Sequence, residues 1–497
     1  MGIKRYVATA DTTITNAFEP NLTTRGTGSN MGASDILETF VIHGQTSAAI
    51  SAANAEEARI LLKFPITELA TDRTNGVVPS GSVSYVLKMY NAPHAETLPS
   101  NFTLEVAPLS KDWNEGTGLD MDIYSDIGQA NWEMAANGSA WTDPGGDYHN
   151  SATSTVSFDK GTENIEVDIT TLVGQWLDNT KENHGVVLRH TDASISGSNG
   201  SLFTKRFFGR GTEFFFNKPV LEARGDSSRK DNRSNFYISS SLAPESDNIN
   251  TLYLYNRVRG ELKNIPSVGD GNIYVSVYSQ TDASGNPDGT PENIINQSPD
   301  ATPLDTVVTG GILIEHNNPV TGVYTASFAC AATSSVLYDK WFKGADDFYV
   351  GSLNPITLSA AGHDEPVSYV TKVTNLKDSY TKEEAPRLRV FTREKNWQPT
   401  VYTKATAKVE PNIIEDTFYR VSRIRDNLNV IPYGTGSGGS SRSHTKMSYD
   451  VSGSYFDLNM SLLEPGYAYG IRVAYYLQGT YKEQPEVFKF RVNKTEE

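Results

Sequence analysis

One cysteine in 497 residues leaves no intrachain disulfide to form, which excludes a small secreted fold stapled by disulfides. That residue, Cys330, sits in the apolar run Ser327-Phe-Ala-Cys-Ala-Ala and is expected to pack as a small hydrophobe rather than react as a thiol. Long hydrophobic runs are missing as well. No window approaches the ~18 apolar residues of a transmembrane helix, so no membrane span is expected. The opening MGIKRYVATADTT has no apolar core of secretory length. Synthesis and assembly are therefore expected in a cytoplasm, without a signal peptide, and release by lysis. Positive charge is in deficit: 43 Lys and Arg stand against 59 Asp and Glu, a net −16. That balance argues against nucleic acid as a partner.

The constellations that catalysis leaves in a sequence are also missing. There is no G-x-S-x-G elbow, no H-E-x-x-H and no phosphate-binding loop, since residues 434–441 (GTGSGGSS) lack the Lys-Ser/Thr that such a loop needs. The eight histidines are scattered, and the loose His184/His190 pair flanking one strand fits a structural role better than a metal site. No carboxylate pair is nominated for glycoside hydrolysis, whose spacing is a three-dimensional property. The expectation is a protein that is not an enzyme.

What is abundant is turn and strand chemistry: 40 Gly, 23 Pro and 25 Tyr. Period-two alternation marks strands at residues 83–90 (VSYVLKMY), 102–109 (FTLEVAPL), 273–278 (IYVSVY), 322–328 (GVYTASF), 386–391 (PRLRVF) and 469–477 (YGIRVAYYL). Residues 170–177 (TTLVGQWL) read as the one convincing helix of the first half, with Thr170 as N-cap. The run GDSSRKDNRSN at 225–235 has no apolar anchor and reads as a linker. The fold class expected is all-β, as tandem β-sandwich domains at 1–225, 235–395 and 397–497. Leu463-Glu-Pro-Gly-Tyr-Ala-Tyr469 resembles the L-x-P-G-x-x-Y corner of immunoglobulin-like and fibronectin-like sandwiches, which implies such a fold for the last domain.

Two groups of residues are candidates for a site. Asp112, Glu115, Asp120, Asp122 and Asp126 crowd a stretch that also holds Gly116 and Gly118. Hard oxygen ligands on a glycine-bearing loop suit calcium, and the competing reading is a solvated loop with no cofactor at all. Trp113, Trp132, Trp141 and Trp176 are the second group, either a sugar-stacking platform or packing anchors.

The order W-x-E-G-x-G-x-D (Trp113 to Asp120), Trp132…Trp141, Pro144-Gly-Gly-Asp147, Val167-Asp-Ile-Thr…Trp176 and Asn183-His-Gly-Val186 resembles the DNRLRE domain over most of residues 8–224. That family is a β-sandwich related to carbohydrate-binding modules, and the resemblance implies that the tryptophans are largely internal. The opening IKRYVATADTTITNAF and the later TRGTGSNMGASD are similar to structural proteins of marine tailed phages, including those infecting cyanobacteria. The resemblance implies a structural virion protein (a tail, neck, fibre-adaptor or capsid-associated component) with other virion proteins and copies of itself as partners. The alternative it leaves open is a carbohydrate-binding adhesin contacting host-surface glycan.

Overall fold

The computed structural model describes residues 2–43, 54–78, 83–94, 100–119, 129–196, 202–296, 305–315, 318–358, 367–398, 401, 411–434 and 444–494. The chain is all-β and built of tandem β-sandwiches. It divides into two compact units, one holding residues 2–225 and the other residues 226–435 and 445–497.

In the first unit a four-stranded sheet runs Ile3–Val7, Val220–Gly225, Val83–Met89, Ile165–Asp168. Facing it is a seven-stranded sheet ordered Leu202–Phe208, Ile36–Ile42, Glu56–Lys63, Val186–His190, Phe102–Pro108, Ser154–Phe158, with Ala10–Thr15 also pairing on Glu56–Lys63. Between the sheets lie Tyr6, Leu37, Leu87, Met89, Leu104, Phe158, Phe207 and Leu221. The strand Glu56–Lys63 shows why a second layer is needed. Ile60 and Leu62 enter that core, whereas Leu61 joins a separate cluster with Val187, Ala107, Leu109, Trp113, Trp132 and Trp141. Alternate residues leave opposite faces of a strand, so the tryptophan-bearing loops roof the outer face of the large sheet.

The helix Thr170–Leu177 buries Leu172, Val173 and Trp176, but Thr170 is its first turn rather than its cap. The Asp168 carboxylate accepts from the Thr170 N–H at 2.8 Å, and the Thr170 Oγ1 accepts from the Tyr85 N–H at 2.9 Å. A second helix, Ile66–Thr74, follows Pro65 and buries only Ile66 and Leu69. Its apolar signal is too sparse for a 3.6-residue period to stand out in sequence.

The second unit opens with a seven-stranded antiparallel sheet in the order Asn250–Tyr255, Asn318–Cys330, Val308–Glu315, Asn272–Tyr278, Leu337–Lys343, Asp346–Leu353, with Ile294–Asn296 beside Asn318–Cys330. Leu252, Val275, Val277, Tyr324, Phe328, Cys330, Leu337, Trp341 and Leu353 form one core, with Cys330 fully buried. A sandwich of two sheets completes the unit: Tyr369–Val373, Arg387–Glu394, Gly453–Asp457 and Ser448–Asp450 in one, with Ser379–Tyr380, Phe488–Val492, Ala468–Leu477, Thr417–Arg423 and Asn429–Ile431 in the other. Arg387–Glu394 pairs with Gly453–Asp457 from Arg387↔Asp457 to Val390↔Ser454. A boundary between residues 395 and 397 therefore runs through a sheet, and the last sandwich begins with the strand Tyr369–Val373. Tyr469 is buried, and its hydroxyl donates to the Glu464 carbonyl at 2.8 Å, closing the corner expected there.

The run at 225–235 is no free linker. Its backbone is paired, since the Tyr449 N–H donates to the Arg229 carbonyl at 3.0 Å and the Asp231 N–H to the Tyr449 carbonyl at 3.2 Å. Polar side chains can anchor a segment as firmly as apolar ones when their partners are buried, which composition alone does not reveal.

Candidate functional site

The acidic candidates separate once their partners are known. Asp112 is exposed and its Oδ1 accepts from Lys63 Nζ at 2.5 Å. Partial burial acts to raise its pKa, but the Lys63 ammonium outweighs this and holds the carboxyl below its ordinary range. Glu115 faces elsewhere: it accepts from Arg210 Nε at 2.8 Å, from Arg210 Nη2, and from the Asp11 N–H at 2.7 Å. Asp11 beside it is buried, and burial pushes its pKa up to about 6. Asp120, Asp122 and Asp126 lie outside the described residues. Among the described residues no group of three or more His, Cys, Asp or Glu is placed to hold a metal ion.

The glycines of the same stretch have a steric reason. A Cβ on Gly116 would stand 1.8 Å from Asn30 Oδ1, and one on Gly118 would stand 1.9 Å from the Asn30 carbonyl oxygen. The gap they leave admits Asn30, whose Oδ1 accepts from the Gly32 and Gly118 N–H groups at 2.9 and 3.2 Å. The E-G-x-G spacing thus locks loop to loop, a job that does not require a cation.

All four tryptophans of the motif are inside, each 6% exposed or less. Trp113 Nε1 donates to the His184 carbonyl and Trp141 Nε1 to the Asn131 carbonyl, both at 2.9 Å. The Arg59 guanidinium covers the Trp132 ring at 4.8 Å. None presents a face to a sugar. The histidine pair parts in the same way. His184 reaches Glu182 at 3.1 Å, whereas His190 is buried near the Phe102 and Phe203 rings, and burial pulls its pKa down to about 3.

A site that sequence reasoning missed lies in the second unit, where the polar run meets the seven-stranded sheet. Leu337, Asp339 and Trp341 share the inward face of one strand, so Asp339 places a carboxylate in an apolar core, fully buried. Arg233 satisfies it with two bonds, Nη1 to Oδ1 at 2.6 Å and Nη2 to Oδ2 at 2.7 Å, and Trp341 Nε1 adds a third at 2.7 Å. Burial opposes the Arg233 charge, but Asp339 prevails and the guanidinium pKa is raised. Arg229 is held likewise, by Glu315 at 2.6 and 2.7 Å, and Asn232 donates to the Tyr449 hydroxyl at 3.1 Å.

Above this anchor opens a cleft of about 700 Å³. Its floor is the run 233–237. One wall is the edge strand Asp346–Leu353 with Asn354 and Ile356, and the other is Tyr369, residues 411–413 and Val451. Tyr349 stands on the edge strand with 39% of its surface exposed and one ring face covered by the Arg233 guanidinium at 5.1 Å. The neighbouring Gly351 is required there: a Cβ would meet Arg233 Nη1 at 2.3 Å and the Tyr349 ring at 2.8 Å. Tyr369 is braced edge-on by the buried Tyr475 at 5.7 Å. The sequence did carry a signal, an ionisable residue at a core-facing position in L-Y-D-K-W, which demands a partner of opposite charge. Nothing in the pattern told which of the cations would supply it.

The fold and site define a tandem β-sandwich protein. No family model matches the chain, and no curated protein matches it. Among solved structures it is similar to the adhesin InvE of Yersinia pseudotuberculosis, at 15% identity over 50% of this chain and 60% of that one, with a TM-score of 0.15. It is also similar to alpha-2-macroglobulin of E. coli, at 10% identity over 82% of this chain and 20% of that one, with a TM-score of 0.16. The chicken CNTN1 FN1-FN3 domains match at 12% identity over 60% of this chain and 82% of that one, with a TM-score of 0.14. At such scores these likenesses carry no functional argument.

Proposed function

We propose that the chain is a non-enzymatic structural component of a tailed-phage particle, joined to other virion proteins and to copies of itself through the surfaces of its β domains. The observation that carries this reading is the internal use of the strongest chemical candidates. Trp113, Trp132, Trp141 and Trp176 pack inside the first unit, while Asp112 and Glu115 are engaged by Lys63 and Arg210. A component of this kind offers its partners surface and strand edge. Asp346–Leu353 ends its sheet with one side unpaired within that sheet and a mostly exposed face, the geometry to which another strand can add. The particle itself is drawn from the resemblance of the first domain to phage structural proteins, and DNRLRE-type kinship is part of the same proposal.

The test is retention. In particles purified through a density gradient and washed at high salt, mass spectrometry should find the chain at a fixed stoichiometry to the major capsid protein. A monodisperse monomer that stays in the soluble lysate and never enters the particle fraction would remove the proposal.

A further inference from the structure

We infer that the cleft above Arg233 binds a neutral, hydroxyl-rich ligand, an oligosaccharide with one pyranose ring seated on the open face of Tyr349. The inference rests on the cleft alone and stands whether or not the chain belongs to a particle.

The ring is presented rather than merely exposed. Beneath it lies Arg233, beneath Arg233 the buried Asp339, and beneath Asp339 the indole of Trp341, each link within hydrogen-bond or stacking distance. A side chain supported in this way from the core has lost its freedom before any ligand arrives, so little further ordering is needed on binding. An aromatic face offers apolar contact to the C–H face of a sugar, and its two stiff torsions suit a stacking role.

The polar groups around it specify the ligand class. The Ser352 hydroxyl, the Asn354 amide and the hydroxyls of Tyr349 and Tyr369 have no hydrogen-bond partner among the described residues. They supply donors and acceptors together, as sugar hydroxyls require. Arg233 is the one charged side chain in the described lining, and Asp339 already neutralises it with two bonds. A phosphate, a sulfated glycan or an acidic peptide would find no free cation here, so the chemistry favours an uncharged ligand. The volume, about 700 Å³, accommodates a few sugar units.

The experiment is a binding titration of the full chain against neutral oligosaccharides of four to six units (α- and β-glucans, mannans and galactans), with a sulfated galactan as the charged comparison. At least one neutral member should bind. Tyr349→Ala should weaken it about tenfold or more, and Asn354→Ala by a smaller factor, while Tyr349→Phe keeps affinity within about threefold. Both residues are exposed, so the melting temperature of each variant should match the parent and separate lost binding from lost folding. No neutral oligosaccharide bound, preference for the sulfated galactan, or binding untouched by Tyr349→Ala would each overturn the inference.

Discussion

At the scale of single residues, the second unit depends on a carboxylate in the wrong place. Asp339 is fully buried between Leu337 and Trp341, and Arg233 is the cation that makes this tolerable. Removing one partner of a buried pair strands the other, which costs more than the pair contributes. Asp339→Asn keeps the shape and removes the charge, so chemical denaturation should show a loss of about 3–5 kcal/mol. Combining Asp339→Leu with Arg233→Met should recover most of it. A loss below about 1 kcal/mol in the single variant would mean that the guanidinium finds water, and that the support under Tyr349 is weaker than the geometry implies. Tyrosines divide by the same logic of burial. Tyr469 and Tyr475 are interior, the latter with its hydroxyl at 2.6 and 2.9 Å from Thr371 and Thr392, whereas Tyr476 and Tyr481 are exposed, their rings tilted against each other with centroids 4.7 Å apart.

At the scale of elements, periodicity was a good guide where one face of a strand meets a core and a poor one elsewhere. The strands at Val83–Met89, Phe102–Pro108 and Ala468–Leu477 alternate in sequence and are found. The short strand Ile294–Asn296 was hidden in a stretch rich in Pro, Gly, Asn and Asp, although Ile294 is fully buried against Asn318–Cys330. Of the glycine- and serine-rich run at 434–441, only Gly434 is among the described residues. The polar run at 225–235 failed for a physical reason: its anchors are ion pairs and an amide, and charged residues in sequence look the same whether they face water or a buried partner. That difference is measurable. Trypsin has sites after Arg229, Lys230 and Arg233, and a linker would be cut there first. The observed pairing predicts that under native conditions these bonds resist cleavage until global unfolding. Rapid native cleavage after Arg229 or Lys230 would contradict it.

At the scale of the whole molecule, the all-β class and its sandwich modules were legible from turn composition and alternation, whereas the cleft was not. Its walls come from residues near 233, 349, 369, 411 and 451, which only the packing of the second unit brings together. Of the candidate carboxylates in the acidic loop, only Asp112 and Glu115 are among the described residues. Those two are close in sequence yet take different partners, Asp112 on Lys63 and Glu115 on Arg210. The proposed virion role would use the surfaces of the β domains, and the resemblance to phage structural proteins is concentrated in the first unit. That unit should therefore make the particle contact. Cross-linking mass spectrometry on intact purified particles tests this most directly. The account predicts cross-links from lysines such as Lys4, Lys88, Lys160 or Lys181 to other virion proteins. Cross-links confined to lysines beyond residue 366, with none from the first unit, would contradict it.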